Sequence, residues 1–441
     1  NALRLRLAIF LVASLLGGSL PSGAESWKET QDAAPPETSK PKQWVEVSVE
    51  LRWRNEFRDN ADFSTGDDFD HFLGQRVRIN LRINAHHNLS FFVQGQDVWL
   101  YGAERDKIIH NTATNLHQIY LDWKPAGSEQ WELRAGRQEL IYGKQRLLGA
   151  FGWDNVSRTF DAGRLRYRRS AWTGDFFWAR LVDIRRRGAG HRPGNRDLYG
   201  VYFTRSPKGS SGRTELYGFM LRDGLRVSGE RGTAPRLTRI FTLGVRRHYQ
   251  PATGFRYEIE NVWQLGKRGP DTHHAVAAVA NAGYAWGGDH RPSLVFEYAF
   301  ASGDDDPADG DSNEFHNLFP TNHLHYGYAD LVGLRNLHNF RLTGAAQIRP
   351  KVRVEVDYHR FLLAAKRGPW KSAGGAVLGW DLTGSSGRDI GQELDLTVRL
   401  PLMKRLSFLA GYSVFLPGAF AKRTRGPQTH HFGYIQTTVR F

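Results

Sequence analysis

The sequence predicts an all-β protein, a closed antiparallel barrel of eighteen strands that crosses a membrane. Three observations carry this reading. Long segments alternate apolar and polar residues with a period of two, which is the signature of strands with two different faces. No apolar run after the N-terminus approaches the roughly 20 residues that a membrane-spanning helix needs. The last segment sets Gly433, Ile435, Thr437, Val439 and Phe441 on one face and Tyr434, Gln436, Thr438 and Arg440 on the other. One face suits lipid and the other water, and in lipid a sheet must close so that no backbone edge stays unpaired.

Composition agrees. Of the 441 residues 24% are charged and 12% aromatic, there is no Cys, and the mean hydropathy is negative. A barrel tolerates such polarity because only alternate residues face lipid. Residues 1–24 read as a secretory signal: Arg4 and Arg6 form a basic start, Leu7 to Leu16 is apolar, and Ser22-Gly23-Ala24 offers a small-x-small cleavage site. Residues 25–43, polar and holding Pro35, Pro36 and Pro41, read as a flexible periplasmic lead-in, and 44–441 as the barrel.

The first strand is the clearest. Val45, Val47, Val49, Leu51, Trp53 and Phe57 share one face, and Glu46, Ser48, Glu50, Arg52, Arg54 and Glu56 share the other. The second repeats the pattern, with Arg76, Arg78 and Arg82 on its polar face. Continued along the chain, the alternation predicts strands at 44–57, 72–86, 88–99, 114–124, 130–139, 159–168, 175–186, 196–205, 213–223, 237–248, 254–265, 273–285, 293–302, 337–349, 351–363, 389–400, 405–416 and 431–441. The connections provide a check. Those after even-numbered strands are short, such as His86-His87 and Pro350, whereas those after odd-numbered strands are mostly long, reaching Gly303–Asn336 and Ala364–Arg388. Short periplasmic turns alternating with long external loops is the rhythm of an outer-membrane barrel, and an even strand count leaves both ends of the barrel in the periplasm.

A barrel of this width encloses water, so its inward faces carry the chemistry. Candidate pore-lining residues are Arg52, Arg54, Arg76, Arg78 and Arg82 on the first two strands, with Arg164, Arg166, Arg353 and Arg399 elsewhere on the wall. Carboxylates nearly balance them in number, and many are expected to pair across strands. The functional reading rests on clustering, since guanidinium forks suit carboxylate or phosphate. The whole chain carries 60 Lys and Arg against 45 Asp and Glu. After the fifth strand, Gly136 to Phe151 mixes glycines, cations and aromatics, so Arg137, Lys144 and Arg146 are expected to narrow the pore.

The run Gly136-Arg137-Gln138-x-Leu140-x-Tyr142-Gly143-x-x-Arg146-Leu147-x-Gly149, then Arg158-Thr159-Phe160-Asp161-x-x-Arg164-Leu165, and later Asp389-Ile390-Gly391-Gln392-Glu393-Leu394-Asp395-Leu396, resembles the alginate-export family of outer-membrane proteins. The resemblance extends from about Val45 to Phe441. It implies an eighteen-stranded barrel with an arginine-rich lumen that passes anionic polysaccharide outward. One departure is the connection Pro401–Lys404, short where alginate-dedicated members carry a long periplasmic plug.

Three functions follow as expectations: a passive channel for anionic solutes such as an acidic polysaccharide, a diffusion porin for small carboxylates, or a scaffold sleeve around another envelope protein. Expected partners are outer-membrane lipid, anionic polysaccharide or small anions, and periplasmic export proteins, not nucleic acid. No cofactor is expected and no catalytic set is visible: nucleophile elbow, P-loop and zinc-protease motifs are all missing. Asp304, Asp306, Asp309 and Asp311 form a weak calcium candidate, but EF-hand spacing fails and a solvated external loop is the simpler reading.

Overall fold

The structure, a computed structural model, describes residues 43–66, 68–102, 114–183 and 192–441. The expected signal and all but the last residue of the lead-in lie outside the described residues. Eighteen long strands follow in chain order: β1 (Val45–Asp59), β2 (Asp70–His86), β3 (Leu89–Gly102), β4 (Asn115–Trp123), β5 (Trp131–Gln138), β6 (Phe160–Arg169), β7 (Trp172–Asp183), β8 (Arg192–Arg205), β9 (Gly212–Val227), β10 (Arg236–Tyr249), β11 (Gly254–Arg268), β12 (Asp271–Ala285), β13 (Ser293–Ala301), β14 (Leu337–Arg349), β15 (Val352–Leu362), β16 (Asp389–Pro401), β17 (Leu406–Pro417) and β18 (His430–Arg440). Each pairs antiparallel with the next, and β18 returns to β1, where Glu50 lies opposite Arg440 and Asp59 opposite His431. Val49 and Phe441 seal the seam by exchanging backbone hydrogen bonds of 3.1 and 2.9 Å. The ring has no open edge, as a sheet in lipid requires.

The eighteen expected strands are all present, and the largest differences are extensions. β3, β9 and β11 run several residues further than expected at the end remote from the termini, because hairpin pairing continues past the zone where apolar alternation marks the strand. Outward positions such as Ile79, Ile119, Leu243 and Leu394 are exposed, as lipid-facing residues must be. Trp131, Trp172, Tyr249, Phe255, Tyr284 and Trp286 are exposed beside the short turns, in the place of an interfacial aromatic girdle. Three of the short turns, 87–88, 170–171 and 350–351, are only two residues long, and in the last two Ser170 and Lys351 take positive φ of 55° and 69°, as tight hairpins demand.

At the opposite end the connections are longer, except the two-residue turn Gly269-Pro270 between β11 and β12. Residues 139–159 and 302–336 turn into the barrel and are called here the first and second inward loops. Asp311–Ser312 of the second adds a short parallel pairing to β12. Residues 363–388 contribute a small hairpin, Trp370–Lys371 with Val377–Gly379, and a short helix α1 (Ala419–Thr424) precedes β18. The largest apolar core lies inside the ring. Leu140, Leu147 and Leu148 of the first loop and Phe319, Tyr326 and Leu334 of the second pack against inward wall residues including Phe160, Leu198, Phe219, Val262 and Phe361.

Candidate functional site

The inner wall divides into two zones. Near the short turns it is charged and wet. Arg82 and Arg134 share Asp122, at 3.4 and 2.6 Å; Arg166 grips Asp175 with two bonds of 2.6 Å; Arg164 and Arg168 share Glu132, at 3.1 and 3.0 Å. On the far side of the seam Arg440 lies 2.8 Å from Glu50 and Arg399 3.5 Å from Glu355, while Arg353 reaches Ser293 Oγ at 3.5 Å. In most of these pairs the arginine is the more exposed partner: 43% against 10% for Arg168 and Glu132, 60% against 16% for Arg440 and Glu50, 37% against 17% for Arg399 and Glu355. The carboxylates form an underlayer and the lumen meets guanidinium. Phe92 and Tyr120 stack at 4.9 Å among these cations, with Arg134 4.0 Å over the Tyr120 ring.

In the other half the wall arginines hold a loop. Shortly before the first inward loop β5 holds Gly136, whose φ of 129° and close approach to the Ile119 carbonyl leave no room for a Cβ. Arg52 donates to the carbonyls of Gly152 and Asp154 at 2.8 and 3.0 Å and to Asn155 Oδ1 at 2.7 Å. Arg54 pairs with Glu56, donates to the Trp153 carbonyl, and lies 3.9 Å over the Trp153 ring. Arg76 and Arg78 both donate to Ser157 Oγ, at 3.3 and 2.9 Å. These four arginines of the expected cationic strip are therefore buried beneath the loop they bind, and only Arg82 of that strip lies in the wet zone.

The two inward loops meet. The Leu147 carbonyl accepts from Phe319 N–H, the Phe319 carbonyl accepts from Gly149 N–H, each at 2.9 Å, and the Gln145 carbonyl accepts from Thr321 at 2.8 Å. Arg158 ties both loops together, donating to the carbonyls of Gly149, Phe319 and Pro320 at 2.9, 2.6 and 3.1 Å. Burial, with Arg196 nearby, presses its guanidinium down to about 10. His325 is held neutral by burial, and its Nε2–H donates to the Lys144 carbonyl at 2.6 Å. Arg146 then reaches the opposite wall: 2.7 Å to Glu297 of β13 and 3.6 Å to each of Glu258 and Glu260 of β11, with the Lys144 ammonium 4.0 Å from Glu258. β1 and β11 stand on opposite sides of the ring, so the segment from Arg146 to Asn155 bridges the lumen.

One expected site residue is placed elsewhere. Arg137 faces outward, bonded to Asp161 at 2.7 and 3.1 Å, because inward Arg134 and Gln138 fix the alternation of β5. It does not narrow the pore. Two contributors escaped the sequence reading. Arg158 lies inside the recognised motif but shows no signal of its clamp, and the second inward loop looks like an ordinary external one. In its acidic stretch Asp304 accepts from Asp306 and Asn313 N–H, and among the described residues no three His, Asp or Glu side chains converge as a metal site.

A closed antiparallel ring with a lipid-facing belt and a lumen narrowed by its own external loops defines an outer-membrane channel barrel. The family model described as "Alginate export" matches residues 43–434, and the chain belongs to that family. Among solved structures it is similar in fold to Pseudomonas aeruginosa OccK11 (OpdR), at 12% identity and a TM-score of 0.58, with 90% of this chain and 96% of that one covered. OpdQ of the same organism matches at 12% identity and 0.59, covering 90% and 98%, and Acinetobacter baumannii OccAB4 at 9% and 0.58, covering 91% and 100%. No curated protein matches the chain.

Proposed function

We propose that this barrel is a passive outer-membrane channel for anionic solutes, and that its cargo is an acidic polysaccharide moving outward as a single extended chain. The observation that carries the proposal is the layering of the periplasmic half, where arginines face the lumen over more deeply buried carboxylates. Wall charge is near balance, yet the field at the aqueous surface is set by the outer layer, and a narrow low-dielectric tube focuses it. Phe92 and Tyr120 beside Arg82 and Arg134 offer the apolar face and cation that an acidic sugar ring needs. A second reading, passage of small carboxylates, is favoured by the loop bridge across the lumen, which reduces the free cross-section.

Reversal potentials in planar bilayers under a salt gradient test the anion reading. Wild type is expected to prefer anions, and Arg168→Glu with Arg399→Glu to weaken or invert that preference. Arg137→Glu, on the outer face, should leave it unchanged. The preference should fade at 1 M salt, where the Debye length is about 3 Å. Cation preference in wild type, or indifference to the reversals, would reject the proposal. Polyuronate added on the periplasmic side should produce transient current blocks; small carboxylates carrying current while polyuronate leaves it untouched would select the second reading.

A further inference from the structure

The outward faces of β5–β11 carry a charged row that conduction through the lumen does not use. In register, Arg137 lies opposite Asp161, Asp161 opposite Arg180, Arg180 opposite Asp197, Asp197 opposite Arg222, Arg222 opposite Arg239 and Arg239 opposite Lys267. The row is outward because its members sit two residues from, and so on the same face as, exposed Trp178, Tyr199, Phe241 and Leu265. It lies toward the ends of the strands that bear the long connections.

Its charge is unbalanced. Both carboxylates are bonded within the row, Asp161 to Arg137 and Asp197 to Arg180, each by a two-pronged contact of 2.7 and 3.1 Å. Arg222 and Arg239 are exposed and neighbour each other, and among the described residues neither is in an ion pair. Lys267, also exposed, donates to Thr272 Oγ1 at 2.9 Å. Neighbouring strands lie about 4.8 Å apart, so these three cations span about 10 Å, too wide for one phosphate and suited to two.

Directly toward the membrane centre the same strands form a groove of about 590 Å³, walled by Phe176, Trp178, Tyr199 and Phe241. Gly163 and Gly218 also line it on the outward face; a Cβ at Gly163 would meet nothing within 4 Å, so the groove exists because a side chain is missing there. An apolar slot whose β9–β10 edge is bordered by cations outside any ion pair suits an acylated and phosphorylated glycolipid. We propose that this sector binds the lipopolysaccharide of the outer leaflet, with Arg222, Arg239 and Lys267 on the phosphates of its lipid A and one acyl chain in the groove.

Native mass spectrometry of the purified full-length barrel, titrated with diphosphoryl lipid A, phosphate-free lipid A or phosphatidylglycerol, tests this. Arg222→Glu with Arg239→Glu should weaken diphosphoryl lipid A by about tenfold or more. Arg247→Glu, outward but at the periplasmic end, should bind as wild type does. Gly163→Leu fills the slot and should weaken both lipid A forms. Unchanged single-channel conductance shows that each variant has assembled and keeps this result separate from the transport reading; if the charge reversals do not assemble, Arg222→Gln with Arg239→Gln gives the same readout. Equal binding of diphosphoryl lipid A by wild type and the row variants would overturn the proposal. So would phosphatidylglycerol bound as tightly as diphosphoryl lipid A, which would make the sector an ordinary lipid contact.

Discussion

The two halves of the inner wall solve opposite problems with the same residue type. In the periplasmic half, Arg166, Arg168 and Arg399 stand over their acids and face water. In the extracellular half, Arg52, Arg54, Arg76, Arg78 and Arg146 are buried; the first four spend donors on loop carbonyls or the Ser157 hydroxyl, and Arg146 on acids across the lumen. The comparison teaches that an arginine on the inner face of a wide barrel is not in itself a pore residue. What decides its role is whether a loop lies over it.

The sharpest way to break the distinction is Arg146→Ala. It leaves Glu260 and Glu297 buried without their guanidinium, and breaking a buried pair costs about 3–5 kcal/mol. Loop docking should fail, read as larger and noisier single-channel current and a lower temperature of heat-modifiable migration. Leu148→Ala comes next. It removes packing where the two inward loops meet and should cost about 2–4 kcal/mol in the same assay. Arg168→Gln belongs to the other half: its side chain is 43% exposed, so stability should move by less than about 1 kcal/mol while ion preference shifts. If Arg168→Gln destabilises as Arg146→Ala does, the two halves are not distinct.

The smallest expected effect lies outside the strands. Glu230 accepts from Gly310 N–H at 3.2 Å and joins the 228–235 connection to the second inward loop. Burial and the neighbouring Asp304 carboxyl push its pKa up to about 7. A raised carboxyl pKa stabilises the folded contact at acid pH, and that contribution is lost as pH rises through about 7. Hydrogen-exchange protection in 228–235 and 302–314, measured relative to the intrinsic pH dependence of amide exchange, should therefore fall between pH 5 and pH 8, and Glu230→Gln should remove that loss.

The strands and the seam were readable in the sequence because period-two alternation is local and each face meets one solvent. Arg146 was readable as a loop cation, but its partners Glu258, Glu260 and Glu297 lie more than a hundred residues away, and no local pattern joins them. Arg137 shows a different failure. Counting by twos from inward Arg134 already puts it outside, and grouping it with Lys144 and Arg146 as one motif hid that. The second inward loop was opaque for a physical reason: Phe315, Phe319, Tyr326 and Leu334 have neither helix nor strand period, and they become a core only when the wall supplies its other half.

The seam has a consequence for assembly. Arg440 donates to Glu50 across 390 residues of chain, so the ring cannot close before nearly the whole polypeptide has been delivered. Contacts between such distant residues are entropically late and slow. Until they form, β1 and β18 are open edges, and the apolar faces of both inward loops have no wall to cover them. Those loops are continuous with the extracellular ends of the strands, so they enter the lumen from outside once the ring exists. The expected order is membrane belt first and interior last, the reverse of a water-soluble domain, with the chain most prone to aggregate before the seam closes.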